Sequence, residues 1–219
     1  MAISSVLAAI ESHLTHELGD ATIAHELANA LREDVLAWRA PEIDVTKIKT
    51  ILAFTFGNRL LRNGNRSPGP VNEALADVAA RLYRQTGAPL YAQWEVAEAV
   101  GTRIPANMVT AIFPNRDERA EPVYLSTSDV VSAVVQGAAD RHSFGVVGVV
   151  GFADHLWRCV ATARRFGLDA YGPSGYTMPS EYDAQSGQPW CRGRLPYLMH
   201  DIMIRASERR GRLTSQSGS

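Results

Sequence analysis

The sequence predicts an α/β protein with a doubly wound, mostly parallel, Rossmann-like sheet, an N-terminal helical extension and a C-terminal helix. Three observations predict it. Residues 51–56, 108–113 and 146–150 are short apolar runs with almost no polar alternation, as in strands buried on both faces. Between them lie segments whose apolar residues recur at helical spacing, and strands that alternate with helices build parallel sheets with right-handed crossovers. The third is the run 144–168, where a β-branched stretch passes directly into a helix. There Leu156, Val160, Ala163 and Phe166 follow the helical period, Asp154 stands where an N-cap belongs and Gly167 where the chain would leave the helix.

Taken in order, residues 2–17 read as an amphipathic helix with Ile3, Val6, Leu7, Ile10 and Leu14 on one stripe. Gly19-Asp20 breaks it, and a second helix over 21–39 stops before Pro41. This helical extension, residues 1–45, is expected to cover the main domain or to meet another subunit in a homo-oligomer. The main domain, 46–212, opens with a strand over 47–56, followed by a polar loop rich in glycine and proline up to Pro70, a length more common in binding loops than in filler. A helix over 71–85 turns Leu75, Val78 and Leu82 inward. A short strand (89–94), a short helix (95–100) and a third strand (108–113) follow. Ser126 and Asp129 have capping-box spacing at the start of a helix running to about residue 139. After the central strand and its helix, 168–171 reads as an edge strand, 172–189 as irregular, and Leu195, Leu198, Met199, Ile202 and Met203 as the apolar face of a last helix. Residues 213–219 are expected to be a disordered tail.

Composition narrows the function. With 219 residues, 46% of them hydrophobic, the chain can bury a sizeable core, and a net charge of −1 gives no footprint for nucleic acid or an anionic membrane. The basic run from Arg205 to Arg212 reads as a solvated helix end. No apolar run approaches the length of a membrane span, and the N-terminus has neither a basic leader nor a cleavage site, so a cytoplasmic protein is expected. Two cysteines make neither a disulfide framework nor a metal site, and His13, His16 and His25 lack the carboxylates or cysteines that would complete one. Gly-x-Ser-x-Gly, Gly-x-Gly-x-x-Gly, the phosphate-loop lysine motif and His-Glu-x-x-His are all missing from the sequence. Nicotinamide chemistry, nucleoside triphosphate hydrolysis and zinc hydrolysis are therefore disfavoured, and no cofactor is required.

If the strands lie side by side, their carboxyl ends gather Gly57, Asn58 and Arg59, then Trp94 and Glu95, Ser126 and Thr127, and Asp154, His155 and Arg158. Two arginines and two hydroxyls suit a small anion, which a guanidinium holds through paired hydrogen bonds. His155, with an ordinary pKa of ~6.5, suits proton transfer, and Glu95 would orient it or a water. Trp94 would stack on a ring or pack on the core. Residues 176–192 would lie over the same edge and meet the ligand with their aromatics, or form an ordered surface loop. In the plainer alternative Asp154 only caps, Arg158 is solvated and His155 is incidental.

This order of signals resembles the YdcF/SanA/ElyC family, a Rossmann-like group of largely unsettled function. The family's late motif, a strand and short turn before His-x-x-Arg on a helix ending in glycine, is matched by His155-Leu156-Trp157-Arg158 and Gly167. Its Asn-Thr-x-Glu-Asn helix start corresponds to Ser126-Thr127-Ser128-Asp129-Val130, with Thr127 retained. Its glycine-rich strand ends are replaced by Phe56-Gly57-Asn58 and Ala92-Gln93-Trp94. The resemblance covers about 48–210. Together with the site chemistry it implies a non-redox enzyme acting on a phosphorylated or carboxylated metabolite by hydrolysis, elimination or group transfer. The alternative it implies is a non-catalytic module for a nucleoside-like ligand such as S-adenosylmethionine.

Overall fold

Two strands at the centre of the sheet are buried along nearly their whole length, which is why their sequences carry no alternation. The computed structural model describes residues 3–114, 125–137 and 141–216. Its main sheet comprises β1 (Glu42–Ile43), β2 (Thr50–Ala53), β3 (Leu90–Gln93), β4 (Val109–Ile112), β5 (Val146–Val150) and β6 (Asp169–Pro173). They lie in the order β1-β6-β5-β2-β3-β4, and each pairing is parallel. The chain lays β2, β3 and β4 outward in one direction, then returns to the other side of β2 for β5 and β6. The fold is thus the doubly wound, Rossmann-like α/β sheet that the sequence predicts. Residues 169–171, within the expected edge strand, pair with β5 alone, and β1 is added only beside the end of that strand: Glu42 stands beside Gly172 and Ile43 beside Pro173. A two-residue strand has no periodicity by which to be found.

The period of two along β2 divides the core. Ile51 and Ala53 face the layer formed by α3 (Gly69–Thr86) and α4 (Trp94–Val100), while Leu52 and Phe54 face α5 (Thr127–Gln136) and α6 (Leu156–Arg165). On the first side Leu75, Leu82, Leu90 and Val96 are fully enclosed, and on the second Val130, Val131 and Val149 are. The helix ends follow their sequences. Pro70 sits in the first turn of α3 and Gly87, at φ +67°, ends it. Ser126 and Asp129 form the reciprocal capping box of α5; the expected end of that helix near residue 139 lies outside the described residues. The polar loop after β2 holds a two-stranded antiparallel ribbon, Arg59–Leu60 with Arg66–Ser67.

By contacts the chain divides into a sheet unit, Arg39–Leu198, and a helical unit, Met1–Trp38 with Met199–Ser219. The sequence placed the boundary at 45/46 and assigned the last helix to the main domain. Instead α7 (Arg194–Gln216) begins in the sheet unit and its greater part belongs with α1 (Ile3–Leu18) and α2 (Ala21–Leu31). Residues 213–216, expected in a disordered tail, are helical; 217–219 lie outside the described residues. In the helical unit Asp20 caps α2 by accepting from the amides of Thr22 and Ile23. Arg205 pairs with Asp201 at 2.6 Å, both almost without exposure, and stacks 4.3 Å from the Trp38 ring. Arg209 reaches Asp34 and Glu33. The start of the basic run is therefore tied into the structure rather than solvated. Among the described residues no helix is long and apolar enough to cross a membrane.

Candidate functional site

Because β3 and β5 lie on opposite sides of β2, the connections leaving β2 and β5 diverge, the place where open α/β sheets form a ligand crevice. The turn after β5 carries His155, whose amide donates to the Phe152 carbonyl at 2.8 Å as α6 begins. One turn further Arg158 points back across the strand ends. Its Nη1 donates to the Thr127 hydroxyl at 2.8 Å and its Nη2 approaches the Tyr197 hydroxyl at 3.5 Å. Arg158 and Thr127, 31 residues apart in sequence, thus meet as expected. The meeting is enclosed, however: Thr127, His155 and Arg158 are 7%, 6% and 8% exposed. Rings of Phe54 and Tyr197 stand edge-on to His155, with centroids 6.4 and 6.0 Å away.

A second buried polar cluster closes the end of β2. Asn72, fully buried on α3, accepts from the Thr55 hydroxyl (2.7 Å) and the Phe56 amide (2.9 Å), and donates to the carbonyls of Gly57 (2.8 Å) and Pro68 (2.6 Å). Beside it Gln93 accepts the Thr55 amide at 3.1 Å, and Asn58 donates to Glu95 Oε1 at 3.4 Å. Glu95 is 2% exposed, and Oε2 has no hydrogen-bond partner among the described residues. Burial pushes its carboxyl up from 4.5 to about 7, against the pull of its own backbone amide, Asn58, the charge of Arg66 and the Thr55 hydroxyl. A carboxyl held near neutrality can give or take a proton at working pH.

Residues 176–192 lie across these strand ends. Ala153 donates to the Pro179 carbonyl at 2.8 Å and Gly187 to the Asn58 carbonyl at 2.6 Å. Phe56 and Phe152 stack at 3.8 Å, and Tyr182 and Tyr197 pack edge-on against Phe56. Cys191, within this cover, is buried, its thiol pushed up to about 12 by burial despite the charge of Arg158. The cover also alters several expected roles. Gly57, expected among the residues that gather at the ligand, has φ +70°, and Ser186 Oγ sits 2.5 Å from where its Cβ would be, so this chain's own serine takes the space. Arg59 forms a two-pronged pair with Asp183, at 2.8 and 3.0 Å, rather than standing ready for an anion. Asp154 caps nothing: α6 begins at Leu156 without a side-chain cap, and Asp154 is held by Arg194 (2.9 and 3.0 Å) and the Tyr182 hydroxyl (2.9 Å). The Ser126 hydroxyl is engaged in its capping box, and Trp94 stands half-buried at the first residue of α4.

The sequence missed Asn72, Gln93, Cys191 and Tyr197. Only Asn72 left a trace, as an amide beside Val71 on a helix whose neighbours turn inward. A groove of about 540 Å³ does open on the sheet unit, between α3 and residues 177–183, bounded by Val71, Val78, Arg81, Met178 and Tyr182 among others. Thr127, His155 and Arg158 do not line it. Among the described residues no group of three or more His, Cys, Asp or Glu gathers to hold a metal. Compared with protein-family models, curated proteins and solved structures, the chain matches none.

Proposed function

We propose that this chain is a non-redox enzyme for a small phosphorylated or carboxylated metabolite, bound beneath residues 176–192 at the carboxyl ends of β2 and β5. The observation that carries this reading is the enclosed Arg158 guanidinium bonded to the Thr127 hydroxyl at the switch point. An arginine out of water binds an anion far more strongly than an exposed one, and its planar fork matches a carboxylate or phosphate. His155 and Glu95 then supply two groups able to move protons, which suffices for hydrolysis, elimination or transfer of the anionic group. Entry requires the cover to lift, as lids do over many small-molecule sites.

A second reading is favoured by the 6% exposure of His155 among aromatic rings: a non-catalytic module whose rings hold a nucleoside-like ligand of the S-adenosylmethionine type. Thermal-shift titration with inorganic phosphate, sugar phosphates, nucleotides and S-adenosylmethionine separates them. An anion that stabilises the wild type but neither Arg158→Gln nor Thr127→Val supports the enzyme site. His155→Gln should then keep binding and lose turnover. Stabilisation by S-adenosylmethionine alone favours the module, and an anion effect indifferent to both substitutions overturns the first reading.

A further inference from the structure

Among the described residues of the helical unit, Ala24 and Ala28 are the only apolar side chains that are fully buried. Larger ones stand in solvent. On the α1–α2 hairpin Leu18, Ile23 and Leu27 are 48%, 49% and 40% exposed, and on α7 Met199, Met203 and Leu213 are 55%, 67% and 57% exposed. These are stripes rather than scattered residues. Ile23 and Leu27 are one turn apart, and Met199, Met203, Arg210 and Leu213 fall on one line of α7 at heptad-like spacing. A unit this small, whose buried apolar side chains among the described residues are two alanines while Leu7, Ile10, Leu14 and Leu31 stay half-buried, is short of core, and its apolar stripes are the surface a partner covers.

The two stripes carry opposite charge. No lysine or arginine precedes Arg32, so α1 and α2 contribute only Glu11, Glu17, Glu26 and the cap Asp20. Glu11 is engaged by His25. Glu17 and Glu26 are exposed, as are Arg210 and Arg212 near the end of α7, and among the described residues none of these four forms an ion pair. We propose that the helical unit is a dimerisation module, in which the acidic apolar α1–α2 hairpin of one copy lies against the basic apolar end of α7 in a second copy, and reciprocally. A second copy is the partner that fits because one chain supplies both complementary patches, and a twofold axis satisfies both at once. This surface is independent of the ligand-binding reading.

Sedimentation velocity of the full chain tests it. The wild type should sediment as a dimer of the 23.9 kDa chain and dissociate as salt is raised. Glu17→Arg/Glu26→Arg and Arg210→Glu/Arg212→Glu should each weaken the dimer by about tenfold or more. An equal mixture of the two variants should dimerise as the wild type does, since each reversed patch then meets its complement. A wild-type monomer at every concentration, including one that is captured only by some other protein, overturns the proposal. So does a dimer indifferent to both reversals, or no recovery on mixing. If the hairpin variant loses its helical circular dichroism, the α7 variant alone decides by the same tenfold criterion.

Discussion

Replacing Glu95 by Gln should change how stability depends on pH, and the size of the change follows from its burial. Its carboxyl is raised from 4.5 to about 7, chiefly by removal from water. The unfolded chain therefore ionises this group at a lower pH than the folded one. Below about 4.5 both states are protonated and there is no penalty; between about 4.5 and about 7 the folded state holds the extra proton, and its stability falls as pH rises; above about 7 the full penalty remains. A difference of about 2.5 pH units corresponds to about 3 kcal/mol at 1.36 kcal/mol per unit. Gln is neutral throughout and nearly isosteric. Glu95→Gln should thus match the wild type near pH ~4 and exceed it by about 3 kcal/mol near pH ~9, or roughly 10 °C in Tm for a chain of this length. Urea unfolding of both proteins across that range gives the difference curve, in which other titrating groups cancel. A flat difference curve, or one in which the wild type gains on the variant with rising pH, would refute the reasoning.

Two further substitutions probe the cluster beside it. Asn72→Leu removes a side chain that makes four hydrogen bonds at full burial and leaves the Phe56 amide among the orphans; it should cost about 3 kcal/mol or more, read as a lower urea midpoint with an unchanged m-value. Gly57→Ala forces a side chain into a left-handed backbone and against Ser186, at a cost of about 2 kcal/mol. Adding Ser186→Gly should recover part of that loss, so that the double variant is more stable than the sum of the single effects predicts.

The central strands, the helix start at Ser126 and the helix end at Gly167 were legible because each rests on a local signal: an unbroken apolar run, a cap or a left-handed glycine. The meeting of Arg158 with Thr127 was legible because topology alone brings the ends of β5 and the start of α5 together. Their enclosure was not, since it depends on where residues 176–192 run, and that path is fixed by long-range bonds such as Arg59 to Asp183 and Tyr182 to Asp154. The same competition misassigned Asp154. Its sequence position suits a cap, but an arginine and a tyrosine hydroxyl from distant segments hold its carboxylate instead.

The place of β2 between one partner that follows it closely in sequence and another that comes about 95 residues later bears on how the protein is made. As synthesis proceeds, β2 can pair with β3 soon after residue 93 emerges, but its other edge finds β5 only when residues 146–150 arrive. Until then an apolar half-sheet offers open backbone groups to any passing strand, and slow closure of such distant pairings is expected. A nascent or truncated chain ending shortly before Val146 would therefore be the species most in need of a chaperone.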